Sequence, residues 1–134
     1  MSFEPNFTYI EPQALADALS MHPNSHARDF VIVDVRDYDF SEGGHIPGCF
    51  HLPSEDFEDP DSIKALYEQH TDKTTFIFHC YLSRIRGPTC ANAFSEYIAK
   101  SMPSEKRPAV RVLRGGFKQW FSLYSGDDTK VEPS

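Results

Sequence analysis

Residues 78–88 read FHCYLSRIRGP: an apolar run ends in Cys80, and Arg86 follows six positions later with Gly87 and Pro88 directly behind it. A lone cysteine after an apolar strand is ordinarily a core thiol. Five intervening residues, an arginine and Gly-Pro at a strand-to-helix junction point instead to a nucleophile facing an anion. A loop of this kind turns backbone N–H groups toward its own centre, and the helix that follows adds the positive end of its dipole. Such donors, together with Arg86, favour the thiolate, which is the reactive form of cysteine. The Arg86 guanidinium stays charged and offers a planar fork to two oxygens of a tetrahedral oxyanion. Gly87 permits a tight bend, and Pro88 suits a first helical turn where no N–H bond is required. Ser83, midway round the loop, is placed to bond the loop amides or the Cys80 sulfur.

The remaining chemistry-bearing residues read more plainly. Cys49 and Cys90 are core thiols, with Cys90, near the start of the following helix, also weighed as a resolving thiol. Three cysteines without CxxC spacing suggest neither a disulfide framework nor a zinc site. His79 lies inside a strand and is expected to hydrogen-bond its own loop. His22 and His26 flank Pro23 in a polar loop and make no metal pair. Glu55, Asp56, Glu58, Asp59 and Asp61 form a solvated face and a helix start.

Elements that place the cysteine can be read on either side of it. EPQALADALS, from Glu11, puts Pro12 in a first helical turn with Ala14, Leu15, Ala18 and Leu19 on one stripe. DFVIVDVRD predicts a buried strand from Phe30 to Val35, since a short β-branched run needs cover on both faces. Gly43, Gly44, Pro47 and Gly48 mark turns, and Cys49 to Leu52 a short strand. Ile63, Leu66 and Tyr67 fall at helical spacing, with Asp59 or Asp61 as cap. TTFIFHC predicts the strand ending at His79 or Cys80. Ala91, Phe94 and Ile98 define a helix from Gly87 to Lys100, AVRVL a strand, and GGFKQWFSLY a closing helix. Residues 1–124 are read as a single domain, and 125–134, SGDDTKVEPS, as a polar disordered tail. Strands alternating with helices imply an α/β sandwich, its central sheet mostly parallel and covered on both faces. Ligands collect at the carboxyl edge of such sheets, where Asp34 and Arg36, Cys80 to Arg86, and Arg114 with Gly115 and Gly116 all fall.

With 134 residues, 40% of them apolar and 25% charged, one globular domain is expected. Thirteen basic against twenty acidic side chains give a net charge of −7, which disfavours nucleic acid and acidic membrane surfaces as partners. The start of the chain shows no basic segment followed by an apolar block, so a cytoplasmic or nuclear location is expected.

VDVRD, EGGHIPG, FHCYLSRIRGP and VLRGGFKQW, in this order, resemble the rhodanese-fold phosphatases of the M-phase inducer type. The likeness runs from about Tyr9 to Tyr124. The chain is also similar to eukaryotic arsenate reductases and to small fungal single-domain relatives. The resemblance implies a rhodanese-like three-layer sandwich, with Cys80 as nucleophile, Arg86 as oxyanion-binding arginine, and the amides of Tyr81, Leu82, Ser83, Arg84, Ile85 and Arg86 as the substrate cradle. It implies scaffold roles for Asp34, Arg36, Gly44, His45 and Gly48. The expected activity is hydrolysis of phosphotyrosine, or dual-specificity, phosphomonoesters through a phosphocysteine intermediate, without cofactor or metal. The substrate would be a phosphoprotein or a small oxyanion. The alternative is arsenate reduction with glutathione or glutaredoxin as reductant, and a third reading is a non-catalytic binding module. The sequence departs from M-phase inducers at Tyr81 and Ile85, where they carry glutamates, and at Val35, where they carry a back-door cysteine. With no carboxylate inside the loop, the leaving-group proton is expected either from the substrate monoanion or from an acid of the neighbouring turn, Asp37, Asp39 or Glu42.

Overall fold

The computed structural model describes residues 6–133. Five strands, β1 (Thr8–Ile10), β2 (Phe30–Asp34), β3 (Phe50–His51), β4 (Thr75–His79) and β5 (Ala109–Leu113), form one sheet in the order β1-β5-β4-β2-β3. Every pairing is parallel. Helices α1 (Pro12–Met21), α2 (Pro60–Glu68), α3 (Arg86–Ser101) and α4 (Gly116–Tyr124) connect or flank the strands. The expected covered sheet is thus present, with all of its neighbours parallel. Edge strand β1 has no counterpart in the periodicity reading, because three residues followed at once by a helix give period-two alternation too little length.

The side-chain alternation of the central strands divides the core into two halves. Val31 and Val33 of β2 and Phe76 and Phe78 of β4 point to one face, where they meet Ile63 and Leu66 of α2 and Ala91, Phe94 and Ile98 of α3. Phe30, Ile32 and Ile77 point to the other, where Leu15 and Leu19 of α1 and Phe117 and Trp120 of α4 cover them. Both faces of β2 and β4 are therefore dry, as their unbroken apolar runs require. In α1 the buried stripe is Leu15, Ala16 and Leu19, while Ala14 faces solvent. Asp59 caps α2, its carboxylate accepting the Asp61 N–H at 2.9 Å. Cys90 lies in the α3 core half, as expected of a core thiol.

The segment read as a disordered tail is, in its described part, held to the domain at Lys130 to Glu132, while residues 125–129 stay exposed. Trp120, fully buried, donates its indole N–H to Lys130 O at 2.8 Å. His45 and Glu132 exchange two backbone hydrogen bonds, with the His45 ring 3.1 Å from the Glu132 carboxylate. The Lys130 ammonium donates to Ser20 Oγ and Thr129 Oγ at 3.0 Å. A polar composition misled here, because the segment is held by backbone groups and by the long stem of Lys130, neither of which appears as hydropathy.

Candidate active site

Cys80 leaves the carboxyl end of β4, and the chain reaches the first turn of α3 within six residues. The thiol is 3% exposed, and its Sγ accepts N–H bonds from Ser83 at 3.1 Å and Gly87 at 3.3 Å. Two N–H groups aimed at one atom make an anion cradle of the backbone. To bring its N–H onto Sγ the loop passes through the left-handed region at Ser83, with φ of 54°, the one non-glycine residue with positive φ among those described. The Ser83 hydroxyl, expected to hold the sulfur or the loop amides, is buried and has no partner; the serine acts through its backbone.

Helix α4 supports the loop from below. The N–H of Phe117 donates to Cys80 O and that of Lys118 to Tyr81 O, both at 2.9 Å. These are orphan donors of a helix start, and here the loop carbonyls satisfy them. Their approach depends on Gly116: with φ of +63°, a Cβ there would lie 2.5 Å from Tyr81 O and 2.7 Å from Leu82 C. The Gly115–Gly116 pair therefore belongs to the site, while Arg114 turns away to Glu11, at 2.7 Å, and lies over the Tyr9 ring.

Cys80 opens onto a cleft of about 710 Å³, and Tyr81, Leu82, Arg84, Ile85 and Arg86 line it together with Tyr38, Asp39 and Glu42. The structure thus gathers the loop residues named from the sequence at one cleft, except Ser83, which lies beneath it. The acids of the neighbouring turn have a different position from a free proton donor. Asp39 takes Arg86 in a two-bond fork, Nη1 to Oδ1 and Nη2 to Oδ2, each 2.8 Å. Asp37 Oδ2 accepts a further bond from Nη1 at 3.2 Å. Hydrogen bonding from Arg86 holds the Asp39 carboxyl below the usual carboxylate range, against a smaller effect of burial. For Asp37, burial pushes upward, but bonds from Ser54, the Glu55 amide and Arg86 outweigh it, and the net direction is down. Arg86 is raised in turn, chiefly by its bonds to Asp39. Both aspartates are therefore carboxylates near neutral pH. The VRDYD sequence could have signalled this pairing only through its acidic spacing, which does not identify a partner 47 residues away.

Behind the cleft, Asp34 and Arg36 form a fully buried ion pair at 2.8 Å. Burial alone would raise the Asp34 carboxyl; the hydrogen bonds and charge of Arg36 beside it turn the direction downward. Arg36 also donates to Gly44 O at 2.8 Å and Glu42 O at 3.1 Å, and lies 4.2 Å from the Phe117 ring centroid. It fixes the VDVRD turn to EGGHIPG and to α4, a structural part. His79 is wholly buried, with Nδ1 3.1 Å from Cys80 O and Nε2 3.6 Å from Asp34 Oδ2. Burial lowers its pKa and Asp34 only partly restores it. The imidazole is a neutral strut under the loop. Burial pushes the Cys49 and Cys90 thiols up to about 12, which keeps both protonated and unreactive.

A parallel sheet covered by helices on both faces, with a cysteine–amide cradle at its carboxyl edge, is the arrangement of a rhodanese-like domain. The pattern of that family matches residues 14–123, and the chain belongs to it. Among its relatives, the dual specificity phosphatase ibp1 of Schizosaccharomyces pombe is 34% identical, over 93% of this chain and 96% of the relative. Arsenate reductase 2.1 of Oryza sativa is 38% identical, over 67% of this chain and 55% of the relative. A crystal structure of Saccharomyces cerevisiae Ygr203w, described as a homologue of single-domain rhodanese and the Cdc25 phosphatase catalytic domain, superposes with a TM-score of 0.81 at 30% identity, covering 98% of this chain and 91% of that one.

Proposed function

We propose that the protein is a cysteine-dependent phosphatase of phosphomonoesters, with phosphotyrosine in proteins as the preferred class. The observation that carries this reading is the Cys80 sulfur held by two loop amides at the start of a helix, with Arg86 on the same cleft. The Cys80 thiolate attacks phosphorus in line; the S–P bond forms as the ester P–O bond breaks. Arg86 and the loop amides take the equatorial oxygens, where negative charge accumulates. Water then attacks the phosphocysteine, releasing phosphate and restoring the thiolate. Since Asp37 and Asp39 are committed to Arg86 as carboxylates, the proton for the leaving oxygen comes with the substrate monoanion or from Glu42, the third acid of the turn and a lining residue of the cleft. Tyr38, 89% exposed, and Ile85, 75% exposed, stand at a rim suited to an aryl phosphate borne on a protein surface. The near-full-length likeness to a dual specificity phosphatase supports the same choice.

The likeness to an arsenate reductase favours a second reading, in which Cys80 attacks arsenate and glutathione completes the reduction. One comparison separates the two: turnover of an aryl phosphate against glutathione-supported arsenate reduction, in the parent and in Cys80→Ser. Cys80-dependent hydrolysis with negligible arsenate reduction is expected. The reverse result would establish the reductase, and inactivity in both would leave a binding module.

A further inference from the structure

Arg86 holds one guanidinium, five N–H donors and two carboxylates, and the count of donors decides what those carboxylates do. Asp39 occupies the edge formed by Nη1 and Nη2, using one N–H of each. Asp37 takes the second N–H of Nη1. The Nε–H and the remaining Nη2–H are left, and these two lie side by side on the other edge of the same plane. Neither has an acceptor among the described residues. They form a second fork, open to the two oxygens of a bound oxyanion, and an incoming anion can take it without breaking a bond already made.

We propose that Asp39 is a positioning residue that aims Arg86, fixing the guanidinium plane by one edge so that the Nε–Nη2 edge is presented to the oxyanion at Cys80. The aim is transmitted from a fixed base. Asp37 accepts Ser54 Oγ–H at 2.7 Å and the Glu55 N–H at 3.3 Å, and its own N–H donates to Asp39 Oδ1 at 3.0 Å. The 3₁₀ turns at Tyr38–Ser41 and Ser54–Glu58 are thereby tied to the first residue of α3. Arginine carries large rotamer freedom, and with its side chain 31% exposed Arg86 is not held by the loop alone. Two carboxylates more than offset the single cation, so the arrangement gives up long-range attraction for orientation.

This inference rests on the oxyanion reading of the Cys80 loop, and its test is chosen so that the two can fail separately. Protection of Cys80 from iodoacetamide by phosphate, arsenate or tungstate reports anion occupancy without requiring turnover. It is measured over a series of salt concentrations, because the charge of a largely buried carboxylate this close to the anion is screened only in part. Asp39→Asn should weaken protection by ~10-fold, as expected for loss of a charge-assisted fork. In an Arg86→Ala background the same change should have no effect. A thermal melt of Asp39→Asn at the parental value within a few degrees separates aim from folding. Tighter protection in Asp39→Asn would show the carboxylate to be a competitor for Arg86 and overturn the proposal. An equal loss with and without Arg86 would also overturn it, since Asp39 would then act by another route. Absence of protection in the parent would overturn the oxyanion reading itself.

Discussion

Gly116→Ala tests whether the α4 helix start shapes the catalytic loop. Two costs can be worked from the geometry. At φ of +63° an alanine is in the left-handed region, which costs about 1–2 kcal/mol. Its Cβ would meet backbone atoms of Tyr81 and Leu82 at 2.5 and 2.7 Å, and since these are not flexible side-chain ends, overpacking adds about 1–3 kcal/mol. The total, about 2–5 kcal/mol, is smaller than the stability of most domains of this size, so the variant should remain folded at 25 °C with Tm lowered by roughly 10–20 °C. Relief of the clash requires the Tyr81–Leu82 backbone to retreat by about 1 Å toward ordinary contact distance. A displacement of that size in a loop that positions reacting atoms costs on the order of 10²-fold in turnover. Gly126→Ala is the matched control: its φ is +93° but nothing lies within 4 Å of the new Cβ. That variant should lose only the backbone term and keep parental activity. Circular-dichroism melts and aryl phosphate turnover on both proteins decide the matter. Equal effects of the two substitutions, or parental turnover in Gly116→Ala, would refute the argument that α4 shapes the loop.

Other expectations are as direct. Arg86→Lys should lower turnover by on the order of 10²-fold or more, because an ammonium cannot offer both a held edge and a free fork; near-parental rates would show that the amides suffice. Asp34→Ala leaves Arg36 buried without its partner and should cost about 3–5 kcal/mol in urea unfolding, with a loss below 1 kcal/mol counting against the scaffold role. Truncation after Tyr124 removes the Lys130 carbonyl from the Trp120 indole and should destabilise the domain by at least about 1–3 kcal/mol; an unchanged melt would show the packed segment to be dispensable. With Cys49 and Cys90 pushed up to about 12, iodoacetamide at pH 7 should label Cys80 first by a wide margin, as peptide mass spectrometry would show, and comparable labelling of Cys90 would contradict its burial.

Much of this protein is determined by short-range pattern. The unbroken runs at Phe30–Val33 and Thr75–Phe78 require a sheet covered on both sides, and the spacing of Cys80, Arg86, Gly87 and Pro88 defines an anion loop entering a helix. These signals are legible because each depends on neighbours within one strand or one turn. The tertiary structure alone decided the rest. Polarity suggested that 125–134 was free chain, whereas its described part is held by the Trp120–Lys130 and His45–Glu132 contacts, which join residues 10 and 87 positions apart. Gly116 reads as a turn glycine until the Tyr81 carbonyl is placed against it. Asp37 and Asp39 read as available acids until Arg86, 49 and 47 residues away, engages them. Which carboxylate meets which guanidinium is set by how the turns after β2 and β4 stack at one sheet edge. A linear pattern carries no record of that juxtaposition.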